Sequence, residues 1–476
     1  MSFWTLARIA QALGGGPSDQ RPIAGITTDT RSITAGQCFV ALRGERFDAH
    51  DFLAEAVSAG AGALIVNDAR RAASLGVPVF EVPDTLVALG QLGRYRREAW
   101  ARPVIAVGGS NGKTSTKELL MAVLGSRFRV HATTGNLNNR IGVPLTLLAL
   151  DEYAEVAVIE AGTNEPGEIA ILRDIIRPDV VVVTTVQEEH LEGLGDLAGV
   201  MAEEMSLCDG APLAVVPAAE ANVVAEARQR AERVVTAGLD VGVGATHAGS
   251  HAGSHAGSHA GSHAGSYVTA HIAQDHGLNP DGRGWLDIAG TRVEIPLSGS
   301  HNLRNAALAL AVAAEFGVST EDAARGLAAM PTPPMRSHVG RLGAALLIND
   351  AYNANPGSAR AALELLRDVG HGRQRVAVLG TMRELGDHAE RAHREVAETA
   401  LAAGFDLVCG IGDFAGALRA LAPGDARVLV AVDVDDLWPL LAARLAPDAA
   451  ILLKASRGVR LERLVPLLTI WASATT

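Results

Sequence analysis

The chain has 476 residues, of which 48% are hydrophobic, and a net charge of −12, which predicts a globular protein of about three domains. The acidic balance argues against a nucleic-acid partner, and three scattered cysteines without a Cys-x-x-Cys pair argue against disulfides or a zinc site. No apolar run reaches the ~18 residues of a membrane span, and the N-terminus lacks a signal-peptide pattern, so we expect a cytoplasmic protein.

The first part of the chain, residues 1–83, is predicted to form a small α/β domain. It begins with a short amphipathic helix over residues 4–13. Three strands and a helix follow, with the strands over 38–42, 63–66 and 79–82 and the helix over 51–59. A longer helix over 85–100 then leads into the next domain.

The most informative stretch is an apolar strand at 104–107 that runs into a glycine-rich turn and then a helix. Backbone N–H groups of such a turn face an anion, the lysine reaches the terminal phosphates, and the threonine hydroxyl can hold Mg²⁺. Val107 stands where the Walker pattern has its first glycine, so a chance glycine-rich turn is the alternative. The stretch predicts the binding of a nucleoside triphosphate through Gly109, Ser110, Asn111, Gly112, Lys113, Thr114 and Ser115.

Beyond this turn, buried strands alternate with helices as far as about residue 332. Continuous Val and Ile runs at 156–160, 180–186 and 213–216 are typical of a parallel sheet covered on both faces. From 333 the pattern resets and predicts a second doubly wound, Rossmann-like α/β unit. Its strands are predicted over 344–349, 375–379, 407–411, 427–432 and 449–453. We therefore expect three domains, at 1–83, 84–332 and 333–476.

Residues 247–266 are five perfect copies of His-Ala-Gly-Ser. Small residues without apolar periodicity cannot bury enough surface to offset the ordering of the backbone, so we predict a disordered surface loop within the central domain. The regular histidines raise the alternative of a metal-binding tract. The glycines and serines oppose the helix that would stack the imidazoles.

Besides the phosphate loop, a series of motifs in register connects the chain with a known family. They are residues 28–32, 39–48, 135–139, 158–162, 190–193, 301–306, 349–356, 382–386 and 454–457. With them, the chain resembles the ATP-dependent Mur ligases of cell-wall synthesis over residues 24–465, except around 239–285. The Asp-x-Tyr-Asn-Ala-Asn-Pro run at 350–356 points, within this family, to the ligases that add D-alanyl-D-alanine.

This resemblance implies ATP-dependent ligation of D-alanyl-D-alanine to UDP-N-acetylmuramoyl-tripeptide through an acyl phosphate, which gives the pentapeptide precursor of peptidoglycan. Phosphoryl transfer depends mainly on positioning and on charge stabilisation by Lys, Arg and magnesium. The resemblance also implies ATP and Mg²⁺ as cofactors, the two precursors as partners, and a monomer. The fold it implies has a small α/β domain, a central P-loop ATPase domain with a mostly parallel sheet, and a Rossmann-like domain.

For catalysis, the resemblance implies Lys113, Glu160, His190 and Arg336, with Thr114, Glu160 and His190 as magnesium ligands. Glu160 ends a predicted strand, where α/β sheets place their ligands, although such an acid can also cap a helix. A helix cap or a surface residue is the alternative for His190. Arg336 lies in a hinge predicted at 331–341, where a solvated residue is the alternative.

The resemblance completes the nucleotide site with Asn302, Asn305 and Asp350, although Asn302 can also cap a helix. It assigns further residues to the substrates. The UDP end is assigned Thr28, Asp29, Thr30, Arg31, Ser32 and Arg43, and the muramoyl-peptide end Asn136, Asn138 and Asn139. The candidates for the dipeptide are Asn355, Arg383, Lys454 and Arg457.

The chain departs from the family pattern at one point. Many relatives have a lysine after the His-Leu-Glu-Gly motif that becomes carbamylated and helps to hold a second magnesium. Here no lysine occurs between Lys117 and Lys454, and we predict that Glu203 or Glu204 supplies a carboxylate directly. Two alternatives stay open, namely another Mur-type or folylpolyglutamate-type ligase and a nucleotide-binding homologue without catalysis.

Overall fold

The computed structural model describes residues 3–44, 47–239, 268–331 and 337–474. The predicted loop at 247–266 and the candidate residue Arg336 lie outside the described residues. None of the helices within the described ranges is long and apolar enough to cross a membrane.

The first hundred residues fold into short strands and helices close to the predicted ones. In chain order these are β1 (Trp4–Thr5), α1 (Leu6–Leu13), β2 (Pro22–Ile23), β3 (Ile26–Thr27), β4 (Cys38–Val40), α2 (Leu53–Ser58), β5 (Ala63–Val66), β6 (Val79–Glu81) and α3 (Thr85–Trp100). The helix predicted over 51–59 is shorter than expected. The Asp48 carboxylate accepts the N–H of His50 and so starts a 3₁₀ turn, Ala49–Phe52, ahead of α2.

The next segment alternates strands and helices, as predicted. Its elements are β7 (Val104–Gly108), α4 (Lys113–Gly125), β8 (Val130–Ala132), α5 (Gly142–Leu148), β9 (Val156–Glu160), α6 (Glu168–Ile176), β10 (Val180–Val183), α7 (Leu191–Leu194), α8 (Leu197–Met205), β11 (Leu213–Pro217), α9 (Ala221–Arg230) and β12 (Val234–Leu239). Strands β7 and β9 to β11 are buried along their whole length, which fits their continuous apolar sequences.

After β12 the simple alternation that we predicted up to residue 332 is wrong, because three strands form an antiparallel sheet. The elements are β13 (Val268–Ala273), β14 (Asp275–Leu278), β15 (Arg283–Ile288), β16 (Thr291–Ser298), α10 (Ser300–Glu315) and α11 (Thr320–Ala328). Strands β15 and β16 pair Ile288 with Thr291 across a two-residue turn. Ala289 and Gly290 in this turn both have positive φ, 53° and 83°, as a tight hairpin requires.

The last segment confirms the predicted doubly wound unit. It comprises β17 (His338–Leu342), β18 (Ala345–Asp350), α12 (Pro356–Val369), β19 (Arg375–Gly380), α13 (Ala389–Ala402), β20 (Leu407–Ile411), α14 (Asp413–Leu421), β21 (Val428–Ala431), α15 (Val434–Ala442), β22 (Ala450–Lys454) and α16 (Leu464–Ala474). The sheet order is β17-β18-β22-β19-β20-β21. All of its pairs are parallel except β17 with β18. Strand β17 lies at the edge of this sheet and contains most of the described residues of the hinge predicted at 331–341.

The chain divides into two compact units. Unit 1 comprises residues 1–106, 128–163 and 167–180, and unit 2 comprises 107–127, 164–166 and 181–476. Unit 1 contains the parallel sheet β3-β4-β5-β6 and the strands β7, β9 and β8, which pair in that order. Unit 2 contains the strands β13, β12, β11, β10 and β7, which pair in that order, together with the antiparallel sheet and the doubly wound sheet. The division falls within β7, after Ala106, and within β10, after Val180. The domain boundaries predicted at 83 and 332 stay a prediction.

Candidate active site

The turn between β7 and α4 has the form that a phosphate loop requires. Gly109 and Gly112 have φ of 112° and 86°, in the left-handed region that favours glycine. A Cβ on Gly109 would overlap the backbone of Thr184 and Thr185, and one on Gly112 would overlap the amide of Asn305. Because the turn ends at the N-terminus of α4, its backbone N–H groups and the helix dipole favour an anion there.

Neighbouring segments fix the shape of this loop. The buried carboxylate of Glu204 accepts the N–H of Gly109 through Oε2 at 2.7 Å. Ser110 donates its backbone N–H to the Thr185 carbonyl oxygen at 2.7 Å and its hydroxyl to the Gln187 carbonyl oxygen at 2.9 Å. The loop is therefore held in one conformation, as expected of a site that stabilises charge by preorganised donors.

Lys113 lies between this loop and a buried acid. Its Nζ donates to the Gly109 carbonyl oxygen and lies 3.6 Å from Oε1 of Glu189. Burial raises the pKa of Glu189 to about 7; the charge of Glu204 acts in the same direction, and Lys113 opposes it. Glu189 was not among the residues predicted from the sequence, although its position directly before His190 was a signal.

His190 follows β10, as predicted, and its imidazole contacts a second acid that the sequence analysis did not select. Its Nδ1 lies 2.8 Å from Oε2 of Glu384. Burial lowers the pKa of His190, but Glu384 and Glu189 outweigh that effect and the net shift is upward. His190 precedes α7 but makes no side-chain capping bond, so the helix-cap alternative does not account for its side chain.

The phosphate loop also contacts the Asn-Ala-Asn-Pro motif. Asn355 donates through Nδ2 to Oδ1 of Asn111 at 2.8 Å, and Asn111 donates to Oε1 of Gln187 at 3.1 Å. The Oδ1 atom of Asn355 accepts the N–H of Ser358 and caps α12. This predicted dipeptide residue thus lies in direct contact with the predicted nucleotide site.

Asn302 and Asn305 lie on the first turns of α10, where both side chains are buried. Asn305 donates to Oδ1 of Asn302 at 3.2 Å, and Asn302 donates to the Ser298 carbonyl oxygen at 2.7 Å. The residue that precedes the helix is Gly299, so Asn302 is not its N-cap. Asn305 meets the loop at Gly112, which brings it to the predicted nucleotide site.

Asp350 and Lys454 form a buried ion pair. Lys454 donates through Nζ to Oδ2 of Asp350 at 2.6 Å, and Ser337 donates its backbone N–H to Oδ1 at 2.9 Å. The structure therefore brings together two residues that the sequence analysis assigned to different ligands, the ribose and the dipeptide.

Arg383 and Arg457 lie in the loops that follow β19 and β22. Arg383 donates its backbone N–H to the Ser456 hydroxyl at 3.0 Å, and its guanidinium packs against Gly458. Arg457 is exposed, and its Nη1 lies 3.4 Å from Oε1 of Glu462. Both loops follow the carboxyl ends of parallel strands, where sheets of this kind bind ligands.

Thr114 and Ser115 lie on the first turn of α4 in unit 2, whereas Glu160 and the residues predicted for the UDP and muramoyl-peptide ends lie in unit 1. Glu160, at the end of β9, is buried and accepts the Nδ2 hydrogen of Asn138 at 2.8 Å. Asn139 accepts the N–H groups of Ile141 and Gly142 and so fixes the start of α5. Asn136 is exposed in the turn before them.

The segment predicted to bind the UDP end forms a 3₁₀ turn, Thr30–Ser32, capped by Asp29. Oδ2 of Asp29 lies 2.8 Å from Nη2 of Arg31, and this pairing lowers the pKa of Asp29 to about 2. Thr28 directly precedes Asp29, and Arg43 is exposed and bridges to the Asp48 backbone. Arg31 is also exposed, which leaves its guanidinium accessible to a ligand.

Comparison with known proteins identifies the family. The sequence matches the descriptions "Mur ligase family, catalytic domain" over 22–97, "Mur ligase middle domain" over 107–313 and "Mur ligase, glutamate ligase domain" over 336–457. The UDP-N-acetylmuramoyl-tripeptide–D-alanyl-D-alanine ligase of Bacillus subtilis is 34% identical over 458 residues, which cover 94% of this chain and 93% of the relative. The chain belongs to the Mur ligase family.

Solved structures resemble this Mur ligase over nearly its whole length. MurF from Acinetobacter baumannii superposes with a TM-score of 0.84 at 30% identity, covering 98% of this chain and 99% of that one. The MurF ligase of Thermotoga maritima in complex with ADP gives a TM-score of 0.74 at 26% identity, with 95% and 98% covered. The predicted three-domain Mur ligase fold is confirmed.

The described residues of this Mur ligase contain no group of three or more His, Cys, Asp or Glu side chains that could hold a metal ion by themselves. Two carboxylate oxygens beside the phosphate loop, Oε1 of Glu189 and Oε1 of Glu204, are buried and accept no hydrogen bond from the described residues, although Lys113 Nζ lies 3.6 Å from Oε1 of Glu189. The surroundings of the phosphate loop therefore offer two carboxylate oxygens as possible metal ligands. Mg²⁺ in proteins is commonly bound by one or two carboxylates together with phosphates and water.

Proposed function

We propose that this Mur ligase joins D-alanyl-D-alanine to UDP-N-acetylmuramoyl-tripeptide with hydrolysis of ATP to ADP and phosphate. The relatives that carry this name match almost the entire chain, and the ADP complex of a structural neighbour supports the use of ATP. The hydrogen bond between Asn111 and Asn355 carries the proposal, because it brings the motif typical of D-alanyl-D-alanine ligases to the phosphate loop.

The chemistry requires activation of a carboxylate. The terminal carboxylate of the acceptor peptide attacks the γ-phosphorus of ATP and gives an acyl phosphate and ADP. The dipeptide amine then attacks the acyl carbon, inorganic phosphate leaves, and the amine loses a proton. Lys113 neutralises the phosphates during the first step, and the N–H groups of the loop hold them in line.

We also propose Mg²⁺ as the cofactor, because the buried oxygens of Glu189 and Glu204 that accept no hydrogen bond from the described residues are the hard donors that this ion prefers. When bound, it neutralises the phosphate oxygens of the nucleotide. Thr114 and His190 are candidate ligands in unit 2, and Glu160 is a candidate in unit 1. Glu384 orients the imidazole of His190, which is the arrangement that metal-binding histidines use.

The substrate assignments follow the same reasoning. We propose that residues 28–32 and Arg43 bind the UDP end, and that Asn136, Asn138 and Asn139 bind the muramoyl-peptide end. Arg383 and Arg457, both in loops beside the doubly wound sheet, are proposed to hold the dipeptide carboxylate. The proposal includes the three domains at 1–83, 84–332 and 333–476, and a monomer in the cytoplasm.

The deciding experiment measures phosphate release from ATP and Mg²⁺ with UDP-N-acetylmuramoyl-tripeptide present and D-alanyl-D-alanine added or withheld. We expect release to require both substrates, and Lys113→Met to abolish it. Release with glutamate or a single amino acid in place of the dipeptide would identify another ligase of the family. ATP binding without turnover on any of these amines would identify a homologue without catalysis.

A further inference from the structure

Two buried carboxylates lie beside the phosphate loop. Glu189 is 4% exposed and Glu204 is 0% exposed. Glu204 contacts the loop through the N–H of Gly109, and Glu189 contacts it through Lys113. The negative charge of Glu204 also acts on Glu189, so the two carboxylates share one electrostatic environment.

One oxygen of each carboxylate has no hydrogen-bond donor. Oε1 of Glu189 and Oε1 of Glu204 are both inaccessible to solvent and accept no hydrogen bond from the described residues. A buried carboxylate oxygen without a donor is destabilising unless a cation neutralises it. Lys113, 3.6 Å from Oε1 of Glu189, is the ammonium described beside these two acids, and Oε1 of Glu204 accepts no hydrogen bond from the described residues. Two buried acids beside one loop that share a single ammonium therefore indicate a further cation.

The charges described around this pair do not balance. Lys113 lies 3.6 Å from Oε1 of Glu189, and His190 lies 3.9 Å from its Oε2. His190 is shared with Glu384. The three carboxylates of Glu189, Glu204 and Glu384 thus face at most two positive charges, those of Lys113 and His190. A divalent cation would change the net charge of this cluster from −1 to +1, which favours binding of the phosphates of a nucleotide.

We propose that Glu189 and Glu204 together hold a divalent cation beside Lys113 through their Oε1 atoms. The proposal rests on the proposed function, because phosphate oxygens and water complete the coordination. Such a site needs no carbamylated lysine, and none is available between Lys117 and Lys454. Glu204 rather than Glu203 is the ligand, because the preceding residue on α8 points about 100° away around the helix axis.

The test measures binding of Mn²⁺ to the full chain in the presence of a non-hydrolysable ATP analogue, by the loss of the free-ion electron paramagnetic resonance signal. We expect Glu189→Gln and Glu204→Gln each to weaken the affinity for Mn²⁺ by about tenfold or more. Glutamine keeps the size of the side chain and an oxygen for the N–H of Gly109. The control is Glu226→Gln, since Glu226 pairs with Arg230 on α9 and is expected to leave the affinity unchanged.

A second measurement does not depend on equal stability of the variants. Mg²⁺ raises the melting temperature of a protein that binds it only when folded, and each variant is compared with its own metal-free value. We expect the two site variants to respond less than Glu226→Gln, and the unaltered chain to bind Mn²⁺ equally well in bicarbonate-free buffer.

Several results would overturn the proposal. These are unchanged Mn²⁺ affinity in Glu189→Gln and Glu204→Gln, a loss of affinity in Glu203→Gln in place of Glu204→Gln, and a dependence of binding on bicarbonate. A fluorescent ATP analogue is titrated in parallel. A chain that fails to bind it contradicts the proposed function, whereas nucleotide binding without any effect of the two variants contradicts only the carboxylate site.

Discussion

His190 and Glu384 form an ion pair in which both residues have a left-handed backbone, with φ of 48° and 64° and 2.8 Å between Nδ1 and Oε2. This conformation is uncommon for residues that carry a Cβ, and it persists where the surroundings require it, often at functional sites. The loop that carries Glu384 packs closely on α7, since a Cβ on Gly386 would lie 3.1 Å from Cα of Glu192. Glu384 therefore fixes the orientation of the His190 imidazole.

We predict that Glu384→Gln lowers kcat by about 10- to 100-fold, because second partners of metal-binding histidines typically have effects of this size. We expect the Mg²⁺ concentration for half-maximal rate to rise and KM for ATP to change little. The measurement is steady-state phosphate release over a Mg²⁺ series. Glu390→Gln is the control, since Glu390 is exposed on α13. An unchanged Mg²⁺ requirement with a raised KM for the dipeptide would instead place Glu384 in substrate binding.

Asn355 caps α12 and also donates a hydrogen bond to Asn111, and two different substitutions distinguish these roles. Asn355→Ser keeps the N-cap of α12 but loses the bond to Asn111, whereas Asn355→Ala loses both. We expect Asn355→Ser to raise KM for ATP about fivefold, equivalent to a hydrogen bond of about 1 kcal/mol, at an unchanged melting temperature. Asn355→Ala should also lose about 1 kcal/mol of stability. An effect on the KM of the dipeptide alone would show that Asn355 contacts the amine substrate rather than orders the loop.

The local sequence predicted helices and strands well where a segment is apolar and is bounded by polar or turn-forming residues. The helix at 85–100 and the strands at 63–66, 156–160 and 407–411 are confirmed to the residue. The strand predicted over 180–186 is too long, because Thr184 donates its hydroxyl to the Asn111 carbonyl oxygen and Val186 donates its N–H to Glu220. Contacts with distant segments end this strand, and a local pattern does not contain them.

The sequence predicted the phosphate loop and, among the acids, Glu160 and Glu203 or Glu204, but not the two acids that pair with Lys113 and His190. The phosphate loop follows from residues that are adjacent in the chain, so its glycines and Lys113 were found. The partners of Lys113 and His190 are Glu189 and Glu384, and acids of this kind are common in surface loops. Their roles depend on burial and on a pairing between distant segments, which are properties of the folded chain.

His393 makes the loop before α13 sensitive to acid. Its Nε2 accepts the N–H of Met382 at 2.8 Å, and its Nδ1 donates to the Ala389 carbonyl oxygen at 2.7 Å. Burial lowers the pKa of His393 below 6.5, although Asp413 lies 3.9 Å away and opposes the shift. The unfolded chain therefore takes up this proton first, and stability is lost as the pH falls below about 6.5.

We predict that His393→Gln, which cannot be protonated, loses less of its melting temperature between pH 7.5 and 5.5 than the unaltered chain does. Differential scanning fluorimetry at the two pH values measures this difference. The control is His371→Gln, since His371 is exposed, and it should follow the unaltered chain. Equal losses in all three proteins would show that His393 does not govern the response to acid.

The buried pair of Asp350 and Lys454 gives the last prediction. Lys454→Met leaves the Asp350 carboxylate buried, with the Ser337 N–H as its remaining hydrogen-bond donor among the described residues. Breaking such a pair costs about 3–5 kcal/mol. We expect a melting temperature lower by about 5 °C or more. The double variant Lys454→Met with Asp350→Asn keeps the acceptor for Ser337 without the charge, so it should recover much of the loss. If the double variant melts no higher than the single one, lost packing rather than an unpaired charge is the cause. A stable double variant also separates the two proposed roles, since a raised KM for ATP then reports Asp350 and a raised KM for the dipeptide reports Lys454.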